Sequence, residues 1–135
     1  MGAVSTPMDA EAATNGAGVA LRAYFPGDES CFSGASYGAV VNNCTTARWL
    51  LTSLPVPTGW HTTNVSMFGS NSLCRTVSTN GVGNGANVGP DTWTVAGPQT
   101  WQTLATGDRF VWDSSPVVFE CLLEPGGIIG SFTAI

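Results

Sequence analysis

Four cysteines and a single histidine are the side chains whose type and spacing first bear on chemistry. Cys31, Cys44, Cys74 and Cys121 form no Cys-x-x-Cys pair, and His61 has no cysteine beside it. That spacing fits two disulfides in an oxidising, extracellular setting, and not a zinc site or a redox motif. Four cysteines allow three connectivities. The economical one joins Cys31 to Cys44 across a local loop and Cys74 to Cys121 across a long one.

Several motifs invite a catalytic reading. Gly34-Ala35-Ser36-Tyr37-Gly38 matches a nucleophile elbow, which needs a strand-to-helix turn, a histidine base and an acid. Only His61 is available as base, and no carboxylate lies between Ser36 and His61, so a small hydrolase using His61 is a subordinate reading. Gly81-Val82-Gly83-Asn84-Gly85-Ala86 has dinucleotide-fingerprint spacing, but Pro90 follows where a helix would have to run. Glu120 with Glu124, and Asp108 with Asp113, are the carboxylate pairs available for glycosidic chemistry. No cofactor is expected. Calcium is the one metal the composition leaves open, with Asp28-Glu29 and Asp108/Asp113 as candidate oxygen ligands.

Aromatic residues point to binding. Trp49, Trp93, Trp101 and Trp112 stand beside apolar neighbours in predicted strands and are expected mostly in the core. Trp60 differs, following Pro57-Thr58-Gly59 and preceding His61-Thr62-Thr63. An indole in that setting offers an apolar face to a sugar ring and an N–H for a hydrogen bond. Trp60, His61 and Tyr37 are therefore the candidate ligand-binding residues.

Composition narrows the partners. Charged residues make up 10% of the 135 residues, the net charge is −5, there is no lysine, and the arginines at 22, 48, 75 and 109 are scattered. Nucleic acid requires clustered cations, so it is excluded as a partner. Nothing approaches the ~18 apolar residues of a membrane-spanning helix, and no apolar leader precedes the domain, as expected of a mature secreted form. A surface of Ser, Thr, Asn and Gly suits neutral polar ligands such as glycans.

The elements that must position these residues read as β throughout. Residues 1–17 are expected to be a flexible N-terminal arm, and residues 18–135 a single domain. Val19, Leu21, Ala23 and Phe25 alternate with polar or small neighbours and predict a strand ended by Pro26-Gly27. Further strands are predicted at 38–43, 46–54, 62–68, 73–79, 92–96, 100–104, 109–112, 116–123 and 128–134, with a glycine-rich loop over 80–85. Pro125-Gly126-Gly127 is expected to turn the last two strands into a hairpin. No segment keeps a 3.6-residue period for three turns. The pattern is an all-β, antiparallel two-sheet sandwich stapled by two disulfides, with a jelly roll as one form of it.

The run from Cys31 to Cys44, the strand to Pro55, then Cys74, and Cys121-Leu122-Leu123-Glu124-Pro125-Gly126-Gly127 before a last strand resembles small uncharacterised domains of secreted bacterial proteins. The resemblance covers residues 19–135 and implies location and fold, with no activity attached. The expected function is non-catalytic extracellular binding of a carbohydrate or cell-surface glycan. The alternative is self-assembly into a homo-oligomer or filament, with the arm or the apolar strand Ile128 to Ile135 adding to a neighbour's sheet.

Overall fold

The computed structural model describes residues 14–79, 86–95, 99–112 and 116–135. Among these described residues there are twelve strands: β1 (Thr14–Ala17), β2 (Arg22–Ala23), β3 (Phe32–Gly34), β4 (Val40–Asn42), β5 (Arg48–Leu54), β6 (Gly59–Phe68), β7 (Leu73–Thr79), β8 (Ala86–Val88), β9 (Thr92–Trp93), β10 (Trp101–Val111), β11 (Val117–Leu123) and β12 (Ile128–Ala134). They form two antiparallel six-stranded sheets. The first runs β10-β6-β12-β4-β3, with β1 beside β4 along the same edge of β12. The second runs β2-β5-β11-β7-β8, with β9 also on β7. Strands β4 to β7 and β10 to β12 alternate between the sheets, as in a jelly roll.

Burial follows the two-residue pleat. In β11, Val117, Phe119, Cys121 and Leu123 point inward, while Val118, Glu120 and Leu122 point out. In β12, Ile129, Phe132 and Ala134 meet them from the other sheet, and the Phe119 and Phe132 rings lie 5.0 Å apart between centroids. Both expected disulfides are formed. Cys31–Cys44 spans 13 residues and Cys74–Cys121 spans 47. Cys74 and Cys121 stand directly opposite in the β7–β11 register and are fully buried, with Met67 Sδ 3.6 Å from Cys74 Sγ.

Five sequence expectations change. Only Arg22–Ala23 of the strand predicted over 19–25 pairs as a strand, because Gly18–Ala20 winds into a 3₁₀ turn where Gly18 lies against the backbone of Ile129. The segments 100–104 and 109–112 are one strand, β10. The gap left between them, 105–108, holds a bulge between Ala105 and Gly107, and Gly107 takes φ +93°. Pro125-Gly126-Gly127 joins no hairpin, since β11 and β12 are central in different sheets. The crossover is held by fully buried Asn42. Its Nδ2 donates to the carbonyls of Leu123 (2.8 Å) and Thr46 (3.1 Å), its Oδ1 accepts from the Cys44 amide (2.9 Å), and its backbone pairs with Gly126 and Gly127. Finally, β12 is paired on both edges, by β6 and by β4 with β1, so it is not a free strand for assembly. Thr14–Ala17, placed in the arm from sequence, is the strand β1; residues 1–13 and the loop 80–85 lie outside the described residues.

On chain-entropy grounds the longer disulfide loop restrains the unfolded chain more. Replacing Cys74 and Cys121 together by Ala is expected to cost about 4 kcal/mol, and the same change at Cys31 and Cys44 about 3 kcal/mol. Urea unfolding midpoints of the two double variants read the difference; a larger loss for the short loop would count against this account.

Candidate functional site

The outer face of the first sheet carries the site. Along β6 the side chains alternate: His61, Thr63, Val65 and Met67 point into the sandwich, and Trp60, Thr62, Asn64, Ser66 and Phe68 point out. Register fixes what stands beside each outward residue. Phe68 lies between Ile128 of β12 and Trp101 of β10, and Ser66 lies between Ser131 and Thr103. Asn64 lies between Thr133 and Ala105. Thr62 is opposite Asp108, and Trp60 is opposite Phe110. The floor is thus a band of hydroxyls and one amide with aromatic residues at both ends.

Both strands flanking β6 carry a bulge, between Ile129 and Ser131 in β12 and between Ala105 and Gly107 in β10. A bulge bends its strand and increases the local twist. Beside them Asn64, Ser66, Thr103, Ser131 and Thr133 line a depression of about 340 Å³. The β10 bulge turns Thr106 inward, where its hydroxyl meets that of buried Thr63, which in turn meets that of buried Thr76. Thr63 Oγ1 lies 2.7 Å from Thr106 Oγ1 and donates to the Gly107 carbonyl at 2.7 Å, while Thr76 donates to the Thr106 carbonyl at 3.3 Å. Every hydroxyl there has a partner, as buried polar groups require.

Trp101 stands beside the depression, two residues along β10 from Thr103 and opposite Phe68. Its indole reaches from β10 across β6, packs edge-on against Phe68 at 5.8 Å between ring centroids, and lies over Gly130 of β12. A Cβ at Gly130 would stand 3.0 Å from Trp101 Cζ3, so the absence of a side chain there makes room for the ring. Trp101 nonetheless remains 52% exposed. At the far end Trp60 is 67% exposed and packs edge-on on Phe110 at 5.5 Å, which packs in the same way on Trp112 at 5.6 Å. Among the outward residues of β6, β10 and β12 only Asp108 is charged, and its carboxylate accepts from the Thr62 hydroxyl at 2.8 Å.

The three residues singled out from sequence are not brought together. Trp60 is on the face described. His61, its neighbour, points the other way and is only 6% exposed; its Nε2 lies 2.7 Å from the Pro57 carbonyl. A residue next to an outward strand position must point inward, which removes His61 from any surface contact with Trp60. Tyr37 is fully exposed with φ 61° in the Ser36–Gly38 turn, which joins β3 to β4 on the other side of β12 from β6. The same separation keeps Ser36 from His61.

Other expectations also shift. Trp93 and Trp101 are exposed, and Trp49 and Trp112 only half-buried, so none of the four sits in the fully buried core. Glu120 lies on the outer face of the second sheet, paired with Arg75 at 2.7 Å. That hydrogen bond, with further attraction to Asp91, raises the Arg75 guanidinium above its ordinary value and holds it over the Trp49 ring. Glu124 accepts from the Ser70 amide. Of the calcium candidates, Asp28 pairs with Arg48 at 2.8 Å, and Asp113 lies outside the described residues. No group of three or more His, Cys, Asp or Glu side chains able to hold a metal occurs among the described residues.

No protein-family model matches the sequence, and no curated protein matches it. Solved structures do. A carbohydrate-binding module from Cellvibrio mixtus lichenase 5A, in complex with cellotriose, matches 90% of this chain over 95% of its own length, with TM-score 0.55 and 15% identity. A GH26-CBM35 β-(1,4)-mannanase from Podospora anserina matches 92% of the chain at TM-score 0.54 and 10% identity. The insecticidal crystal protein Cry2Aa matches 91% at TM-score 0.60 and 7% identity. This chain spans 27% of the mannanase and 21% of the insecticidal protein. At these identities the likeness establishes the fold, a β-sandwich shared with carbohydrate-binding modules.

If Gly130 seats the Trp101 ring, Gly130→Ala must displace it. The Trp101 indole N–H resonance, assigned through Trp101→Phe, is expected to shift in Gly130→Ala while the Trp49 resonance stays in place. An unmoved Trp101 signal would contradict the seating.

Proposed function

We propose that this chain is a non-catalytic, extracellular carbohydrate-binding domain, and that the outer face of β12, β6 and β10 is its binding surface. The observation that carries the reading is the depression floored by Asn64, Ser66, Thr103, Ser131 and Thr133, with an exposed indole, seated on Gly130, standing beside it on the same face. Sugars present hydroxyls that donate and accept, together with apolar ring faces. Serine and threonine hydroxyls and an asparagine amide answer the first, since each can play both roles. The Trp101 face answers the second. Small polar side chains also leave room for a ligand to approach the sheet, with bridging water where contacts fall short. The fold shared with carbohydrate-binding modules supports the same reading, and the disulfides favour an oxidising compartment.

Trp101 replaces His61 as partner to the sequence-derived candidate Trp60, and Tyr37 falls outside the binding surface. A hydrolase built on His61 is disfavoured, because that ring is buried against Pro57 and Ser36 lies across β12.

Affinity electrophoresis against a panel of neutral polysaccharides tests the assignment. Trp101→Ala and Asn64→Ala are each expected to weaken binding by about tenfold, the effect of roughly 1.4 kcal/mol, with far-ultraviolet circular dichroism unchanged. Retention unaltered in both variants would remove this face from the function.

A further inference from the structure

The two aromatic ends of the face are far apart, and their separation constrains what can use both. Trp60 and Phe68 are eight residues apart on one strand, about 27 Å at ~3.4 Å per residue. The depression lies near the Trp101 end, since Ser66 is only two residues from Phe68. From Asn64, the floor residue nearest to it along β6, to Trp60 is about 14 Å on the same scale. A mono- or disaccharide filling the depression therefore reaches Trp101 and leaves Trp60 untouched. Yet Trp60 is the more exposed indole of the two, and it is braced from behind by Phe110, itself braced by Trp112. A ring held in this way presents apolar surface at little cost in side-chain entropy.

Resting on the glycan-binding reading, we propose that the face takes a long, neutral polysaccharide chain laid along β6. Trp101 and the polar floor hold one stretch of the chain, and Trp60 holds a second stretch about 14 Å beyond Asn64. Between them the chain passes the Thr62–Asp108 pair. Asp108 is the only charged side chain among the described outward residues of β6, β10 and β12, and it repels uronate or sulfate groups along the chain. Trp60 is in this view a length-sensing contact, engaged only when the ligand is long enough.

The test is isothermal titration of wild type, Trp60→Ala and Trp101→Ala with three oligosaccharide ladders from disaccharide to octasaccharide: β-1,4-glucan, β-1,4-mannan and β-1,3-glucan. For at least one ladder, wild-type affinity should rise with length up to the longest members. Trp60→Ala should leave disaccharide and trisaccharide affinities unchanged and weaken the octasaccharide about tenfold, while Trp101→Ala weakens every length. Polygalacturonate should bind more weakly than the neutral chains. Flat length dependence, or an octasaccharide affinity indifferent to Trp60→Ala while Trp101→Ala still acts, overturns the long-chain proposal and leaves the groove standing. Polygalacturonate binding as tight as the neutral chains overturns the neutral assignment. Insensitivity to both substitutions, or no binding of any ladder by wild type, overturns the groove reading as well.

Discussion

The candidate face exists because the pleat of β6 is pinned from both edges. β10 and β12 fix its register along nearly its whole length. A slip of one residue would exchange the two faces of a strand. Here it would turn Val65 and Met67 to solvent and Asn64 and Ser66 into the core. Burial of Val65, Met67, Leu104, Ile129 and Phe132 on the inner side opposes that slip. The polar outer row is therefore held in place by the apolar inner row, residue for residue.

Regular pairing alone would leave the face without its depression. The two bulges change that, and each is locked by chemistry that does not face the ligand. In β10 the extra residue, Thr106, is drawn inward into a cluster with Thr63 and Thr76. In β12 the extra residue is Gly130, whose lack of a side chain admits the Trp101 ring. One bulge is thus fixed from the core side and the other is used from the surface side. The second sheet plays a different part. Its centre is stapled by Cys74–Cys121, and its outer face is occupied by half-buried apolar side chains with the Arg75–Glu120 pair among them. A depression of about 210 Å³ on that side is lined by Tyr24, Phe25, Trp49 and Arg75, with aromatic rings and a guanidinium in place of a hydroxyl floor.

Much of the scaffold was legible from local pattern. Alternation over 62–68, 73–79, 116–123 and 128–134 reflects the two-residue period directly, and those strands appear close to their expected bounds. The errors came where a local signal has two physical meanings. Thr-Gly-Asp at 106–108 is turn chemistry in isolation, but between two segments paired to one partner it becomes a bulge. Pro125-Gly126-Gly127 marks a reversal and does not specify whether the chain returns to its own sheet or crosses to the other. The tryptophans were misjudged because apolar neighbours in sequence are not neighbours on a face: Phe110 and Trp112, not Val111, share a side with Trp60.

The sequence by itself determined the fold class and the two disulfides, because periodicity and cysteine spacing express local geometry. It also marked Trp60, whose turn-flanked position is a local property. Tertiary structure alone decided that His61 faces the core, that Tyr37 stands across β12, and that the Trp101 ring lies over Gly130. Those relations depend on register between strands far apart in the chain, and register is set by the simultaneous packing of two sheets rather than by any one segment.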